Sequence, residues 1–325
     1  MNEIINIAFV FDDKFSDLFR VAAYSVAKNT KSNLAIHIVD CGISEENKDL
    51  IRKFMSEFKN ISSIEFKVPE RVEILENYTI PAHFSTAIFY RLAIPKVFPE
   101  LNRVIYLDCD IVAVGDIGEL WKEDLNGRPF GAVEEVGNFI DPETVWRKRM
   151  TLGLPVGRRY YNMGVLFFDC GKFQESKIFE RVVEFVKSTR IPLALPEQDA
   201  MNVCLQNEEH LALSPKYNFM PFLMLSKRCF RTIKTPVIIH YAAVKVWQLN
   251  LNKILIKILY LFGVCRYTLG VILCFWQYSD RVDGKKFSSR SIIPTIKFFR
   301  ILCSIKFCPE KFQKKMIKNT TVSYE

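Results

Sequence analysis

The triplet Asp108-Cys109-Asp110 carries the first sign of chemistry in this chain. It follows the apolar run Val104 to Leu107 and precedes a second, Ile111 to Val114. A run of Val, Ile, Tyr and Leu bounded by charge reads as a buried parallel strand. Carboxylates are costly to bury without a partner, so a pair at such a strand end needs one. Residues 108 and 110 share one side of an extended chain and can converge on a single ion. Hard oxygen ligands, around an ion that must also hold phosphate, point to Mg²⁺ or Mn²⁺. Taken alone, such a common triplet reads more readily as a strand-end turn with solvated acids. Other residues strengthen the first reading. His240 closes the apolar run Val237 to Ile239, and Lys245 follows, able to neutralise phosphate as a point charge. Asp12 ends the first apolar run, Arg91 lies on a helical stretch, and Asn162 stands at the mouth of a strand. Gln198 and Asp199 sit where a helix opens, a place where an acid also favours the helix dipole.

These residues need elements to hold them. Ile4 to Phe11 reads as a first parallel strand, followed by a helix with Leu18, Val21, Ala22, Ser25 and Val26 at helical spacing. Leu34 to Val39 is the second strand, and Ser44 can cap the helix after it. Ile64 to Val68 alternates as a third strand. Strand, helix, strand, helix, strand is half of a doubly wound α/β sheet, where ligands sit beyond the carboxyl ends of the strands. The sequence further predicts a helix over Ser85 to Ile94, strands over Phe130 to Glu134 and Tyr161 to Asp169, helices over Phe179 to Val186 and from Glu197, and a last strand ending at His240. There is no G-x-G-x-x-G after the first strand and no Walker A sequence, so acids and a metal must do the work of a glycine cradle.

The chain has 325 residues, nearly half of them hydrophobic and a quarter charged, which fits one large globular domain with an appendage. Nine cysteines without a CxxC pair argue against a disulfide framework and a structural zinc site, and for reduced thiols in a cytosolic protein. The N-terminus has no basic n-region or small-residue cleavage site, so no signal peptide is expected.

Phe11-Asp12-Asp13, Tyr90-Arg91-Leu92, Tyr106-Leu107-Asp108-Cys109-Asp110, Asn162-Met163-Gly164-Val165-Leu166, Glu197-Gln198-Asp199 and His240-Tyr241 with Lys245-Val246-Trp247 occur in an ordered set. Over roughly residues 4 to 250 this set resembles glycosyltransferase family 8, the retaining enzymes typified by bacterial lipopolysaccharide α-galactosyl- and α-glucosyltransferases. The resemblance implies an α/β GT-A fold, a UDP-sugar donor such as a UDP-hexose, and Mn²⁺ or Mg²⁺. It implies metal ligation by Asp108, Asp110 and His240, and donor contacts from Asp12, Arg91 and Lys245. It places Asn162 and Gln198 on the sugar side, with Asp199 on a donor hydroxyl and Glu135 near the acceptor. Two carboxylates and an imidazole also suit Mn²⁺ better than Ca²⁺ on ligand chemistry alone. A divalent ion would stabilise charge growing on the leaving UDP.

Two departures stand out. Lys14 occupies a place where the family often has Asn, and Ala242-Ala243-Val244 replaces a usual Gly. Both favour an alternative in which the fold is kept as a membrane adaptor without turnover. A metal-dependent phosphohydrolase is a further alternative, but it would want more carboxylates for a second ion.

The net charge of +9 is concentrated beyond residue 250. Residues 251–325 interleave apolar and aromatic residues with Lys and Arg, which fits helices lying on an anionic membrane surface. The stretch from Ile258 to Trp276 approaches the length of a span but carries Arg266 at its middle. The expectation is a peripheral protein at the cytoplasmic face of the inner membrane. A lipid-linked glycan would be its acceptor, and no nucleic acid its partner. A helical subdomain packed on the catalytic core is the competing reading of the same residues.

Overall fold

The structure is a computed structural model; it describes residues 3–76, 85–135, 147, 149–155, 157–205, 210–220, 235–242, 275, 278, 279 and 282. Its centre is a seven-stranded mixed sheet in the order β3-β2-β1-β4-β7-β6-β8. The first strands are β1 (Ile5–Phe11), β2 (Leu34–Asp40) and β3 (Ile61–Lys67). They run parallel, as does β4 (Arg103–Leu107) beside β1. Strands β1 and β2 are buried almost throughout, as their unbroken apolar sequences require of strands covered on both faces. Helix α1 (Ser16–Asn29) and helix α2 (Glu45–Met55) connect them, and the Ser44 hydroxyl accepts from the Asn47 N–H at 3.3 Å to cap α2.

The sheet departs from an all-parallel arrangement at β4. Strand β7 (Tyr161–Asp169) lies antiparallel to it, pairing Leu107 with Val165, and β6 (Phe130–Glu134) is antiparallel to β7. Alternation and apolarity do not encode strand direction, so the sequence left this open. The reversal has a functional result: the beginning of β7 meets the end of β4. The Asp108 N–H donates to the Gly164 carbonyl at 2.8 Å.

A small second sheet pairs β5 (Ile111–Ala113) antiparallel with β9 (Ile238–His240), aligning Ile111 with His240. It brings a residue more than a hundred positions downstream against the aspartate pair. The expected helix over Ser85 to Ile94 is a 3-10 helix, Thr86–Ala93, followed by a single helical turn, Ile94–Val97, with Pro95 in its first turn. Beyond β7 come α3 (Cys170–Glu175), α4 (Ile178–Ser188) and α5 (Pro196–Cys204). The edge strand β8 (His210–Leu213) runs parallel to β6 and was not expected from the sequence.

Two apolar cores cover the two sheet faces. One joins α1 and α2 to β5 and β9; the other joins the 3-10 helix, α3 and α4. Part of the C-terminal region belongs to the first core. Phe275 is buried with its ring 5.2 Å from that of Tyr241, and the Tyr278 hydroxyl accepts from Asn29 Nδ2 at 2.8 Å. Ser279 is fully buried and Val282 packs on the same cluster. The core-packing reading therefore holds for these residues. Lys245, Ala243, Val244 and, apart from Phe275, Tyr278, Ser279 and Val282, residues 251–325 lie outside the described residues. Among the described residues, no helix is long and apolar enough to cross a membrane.

Candidate active site

The carboxyl ends of β1, β2 and β4 form one edge of the sheet, as parallel strands in register must. Asp108 leaves β4 there, Asp110 leads into β5, and His240 faces them from β9. Ligand-type atoms of Asp108, Asp110 and His240 all lie within 4.8 Å of one another. His240 Nε2 is 3.1 Å from Asp110 Oδ1 and 3.6 Å from Asp108 Oδ2. The Asp108 and Asp110 side chains keep 20% and 26% exposure, while that of His240 keeps 3%. An ion could thus be reached from solvent on the acid side and held from behind by the imidazole.

The charges respond to this crowding. Burial, added to by Asp110 and opposed by Arg91, lifts the Asp108 carboxyl above its ordinary range. Burial also works against ionising Asp110, but His240 outweighs it and holds that carboxyl low. The His240 imidazole is raised in turn: burial opposes its charge, and Asp110 more than offsets this.

The residues present fit a divalent ion. The donor set of two carboxylates and one imidazole suits a borderline-hard cation. The approach is so close that Gly164 has no room for a side chain. A Cβ there would sit 2.2 Å from His240 Cε1 and 2.8 Å from Asp108 Oδ2.

Arg91 stands behind the aspartates. Its Nη1 is 3.2 Å from Asp108 Oδ1 and donates to the Met163 carbonyl at 2.9 Å. Its Nε donates to the Ile88 carbonyl at 2.9 Å and is 3.7 Å from Glu197 Oε2. The Tyr106 hydroxyl donates to Asp108 in a short hydrogen bond, and the guanidinium lies over the Tyr106 ring. Burial opposes the Arg91 charge, but Asp108 and Glu197 more than compensate and raise it further. Arg91 is therefore fixed in place rather than reaching freely into the cleft.

Strand β7 and helix α5 bring together the residues expected on the sugar side, Asn162 and Gln198, around Glu135. Asn162 Nδ2 donates to Glu135 Oε2 at 2.9 Å, and Gln198 Nε2 donates to the same oxygen at 3.2 Å. Gln198 Nε2 also lies 3.3 Å from the Tyr160 hydroxyl, while its Oε1 accepts from the Met163 N–H at 3.2 Å. Asn202 receives the Tyr161 N–H at 2.8 Å and donates to the Tyr161 carbonyl at 2.9 Å, stapling α5 to β7.

Asp199 and Glu197 differ sharply. One Asp199 oxygen accepts from the Leu195 N–H at 2.8 Å and the other takes a short hydrogen bond from the Tyr160 hydroxyl. That geometry ties its carboxylate to the start of α5 and leaves it 1% exposed. Glu197, which sequence reasoning passed over, has Oε2 toward Arg91, while its buried Oε1 has no hydrogen-bond partner among the described residues. Burial, only partly countered by Arg91, pushes the Glu197 carboxyl up to about 8.

Asp12 caps the 3-10 turn Asp13–Phe15, with Oδ1 accepting from the Lys14 N–H at 3.1 Å. A neighbouring cleft of about 200 Å³ at the ends of β2 and β3 is lined by Asp40 to Ile43, Val68, Arg71, Ser85 and Tyr90 among others.

Comparison with known proteins agrees with this architecture. The chain is 25% identical over 271 residues to general stress protein A of Bacillus subtilis, covering 77% of this chain and 89% of that protein. It is 26% identical over 227 residues to a lipopolysaccharide 1,2-glucosyltransferase of Escherichia coli, covering 67% of this chain and 62% of that one. The fold matches that of the galactosyltransferase LgtC, solved with donor and acceptor sugar analogues. The TM-score is 0.65 at 23% identity, over 75% of this chain and 89% of that chain. The sequence profile described as Glycosyl transferase family 8 matches residues 6–250. With that match spanning most of its length and a GT-A sheet beneath it, the chain belongs to glycosyltransferase family 8.

Proposed function

We propose that the protein transfers a hexose, galactose or glucose, from a UDP-hexose to a saccharide acceptor of lipopolysaccharide or a related surface glycan, forming an α-linkage with retention. The observation that carries this reading is the Asp108–Asp110–His240 cluster joined through Asn218 to Asn162, Glu135 and Gln198 by direct hydrogen bonds. Such an enzyme needs positive charge at the leaving diphosphate and polar groups at the sugar, on opposite sides of the bond that breaks.

In this reading Asp108, Asp110 and His240 hold Mn²⁺ or Mg²⁺, which when bound neutralises charge on the diphosphate. The donor's nucleoside lies near Asp12 and the cleft beside it. Arg91 acts without touching the donor: its fixed guanidinium orients Asp108, and its charge adds to the field at the diphosphate. Lys245 is the proposed second cation there. Gln198 and Asn162 are ordered by their shared bond to Glu135, which also stands ready to accept a proton from an incoming hydroxyl. An amide is a feeble nucleophile, so leaving phosphate and entering hydroxyl share one face, with Gln198 stabilising the oxocarbenium-like centre. Asp199 supports this side by fixing Tyr160 and the start of α5. Glu197 is the better-placed partner for a donor hydroxyl, since its buried Oε1 needs one.

Residues 251–325 form, in this proposal, a basic region that keeps the catalytic domain of residues 1–250 at the anionic inner face of the membrane, near a lipid-linked acceptor. Similarity to a lipopolysaccharide glucosyltransferase supports the acceptor class.

The test is a screen of UDP-sugars with and without Mn²⁺, following UDP release, and proton NMR of the glycosylated product. Metal-dependent UDP release and an α anomeric coupling are expected. No release from any UDP-hexose, or a β product, overturns the reading.

A further inference from the structure

We propose that Asn218 is a positioning residue that holds His240 in the one ring tautomer able to serve as an ion ligand. The inference rests on the reading of Asp108, Asp110 and His240 as an ion site and extends it to a residue outside that set.

Asn218 follows the 3-10 turn Pro215–Tyr217 and is fully buried. The next residue, Phe219, is laced to β9: its N–H donates to Ile238, and its carbonyl accepts from the His240 N–H, both at 2.9 Å. The backbone therefore sets the Asn218 side chain against the imidazole. Asn218 Oδ1 is 2.8 Å from His240 Nδ1, and Asn218 Nδ2 is 2.8 Å from Asn162 Oδ1.

Amide and ring orientations are decided by what the ends of a network can do. One end here is a backbone N–H, which only donates: Gly164 N–H meets Asn162 Oδ1 at 2.9 Å. The other is the Glu135 carboxylate, which accepts from Asn162 Nδ2 at 2.9 Å. Asn162 must then turn its oxygen to Asn218, Asn218 must donate with its amide nitrogen, and the Asn218 oxygen is left facing Nδ1. Nδ1 must carry the proton. In the neutral ring the lone pair is then on Nε2, the nitrogen that faces Asp110 and Asp108. The opposite tautomer would need Asn218 reversed. That would set two amide oxygens 2.8 Å apart in a buried place.

A ligating imidazole whose second nitrogen is held this way gains orientation and basicity, and loss of such a partner typically lowers metal affinity about 10–100-fold. The chain Glu135–Asn162–Asn218–His240 also joins the sugar side of the cleft to the ion side by direct hydrogen bonds.

The experiment uses the full-length protein labelled with ¹⁵N-histidine; the chain has only four histidines. Without metal, His240 should show a protonated Nδ1, whether or not Nε2 also carries a proton toward Asp110. A bare Nδ1 in the wild type overturns the proposal with no substitution needed. Asn218→Ala should lose the Nδ1–H preference and bind Mn²⁺ about 10–100-fold more weakly in the absence of donor sugar. Asn218→Asp, which keeps an acceptor for Nδ1–H but gives up the donor to Asn162 Oδ1, should retain the tautomer and bind Mn²⁺ more tightly than Asn218→Ala. Wild-type tautomer and Mn²⁺ affinity in the alanine variant would show a merely structural asparagine. If that variant does not fold, loss of the Nδ1–H tautomer in the aspartate variant is equally decisive against the proposal. Failure of the wild type to bind Mn²⁺ would overturn the ion-site reading itself, and is scored apart from the tautomer, which is measured without metal.

Discussion

Gly164→Ala is the smallest change that should separate folding from ion binding. The new Cβ would lie 2.2 Å from His240 Cε1, more than an ångström inside ordinary contact at 3.4 Å, and 2.8 Å from Asp108 Oδ2. Neither neighbour is the loose end of a flexible chain. The imidazole is buried and tied to Asn218 at 2.8 Å, and Asp108 is held by Tyr106 and Arg91. Relief must come from moving His240 away from the acids or lifting β7 from β4. Overpacking of this kind costs about 1–3 kcal/mol of stability. Because the displaced groups are themselves the proposed ligands, Mn²⁺ affinity should fall at least as far as for loss of an outer partner, about 10–100-fold. Gly131→Ala is the matched control: its Cβ would press on Leu213 at 3.0 Å, within the packed sheet and away from the ligands. Calorimetric titration with Mn²⁺, beside thermal unfolding, reads both effects. The control should lose stability and keep Mn²⁺ binding, whereas Gly164→Ala should lose binding while still folded. Wild-type Mn²⁺ affinity in Gly164→Ala would refute the assignment of the cluster.

Glu197 carries a pH signature. Its folded-state carboxyl, lifted to about 8 by burial against an ordinary value of 4.5, keeps a proton that the unfolded chain has released. Its contribution to stability is full below about pH 4.5 and is lost as pH rises toward 8. Glu197→Gln escapes that loss, so its melting temperature relative to wild type should climb between pH 5 and 8; a constant difference across that window would count against the shift. Truncation tests the basic tail: a chain ending after Val282 keeps Phe275 and Tyr278 on the core, so it should stay folded and hydrolyse UDP-sugar while no longer sedimenting with anionic liposomes. A chain ending after Asn250 should also lose stability, by the ~3–5 kcal/mol typical of removing a buried Phe; sedimentation of the Val282 truncation at wild-type levels would remove the tail from membrane attachment.

The parallel half of the sheet was legible because burial on both faces leaves an unbroken apolar signature, as in β1 and β2. The antiparallel β7 was legible as a strand but not in its direction, which is set by which neighbour it meets rather than by its own residues. The edge strand β8 is only partly buried and carries little pattern. The convergence of Asp108, Asp110 and His240 was readable from residue type and strand-end position. What the sequence did not contain was the small β5–β9 sheet that makes the convergence physical.

The acids flanking Gln198 show where sequence order gives out. Successive helix residues turn by about 100°. Glu197 and Asp199 therefore cannot serve the same side, yet nothing in the string Glu197-Gln198-Asp199 says which acid turns inward. Packing decides it. The open N–H of Leu195 and the Tyr160 hydroxyl claim Asp199, an ordinary way to satisfy the start of a helix. That leaves Glu197 against Arg91, with one oxygen unpaired among the described residues. Asn218 was invisible for a related reason: an asparagine after a short turn has no periodicity or spacing to mark it. Its meaning comes from Gly164, whose N–H fixes the direction of every hydrogen bond between it and His240. The same glycine that makes room for the imidazole thus also sets which of its nitrogens faces the acids.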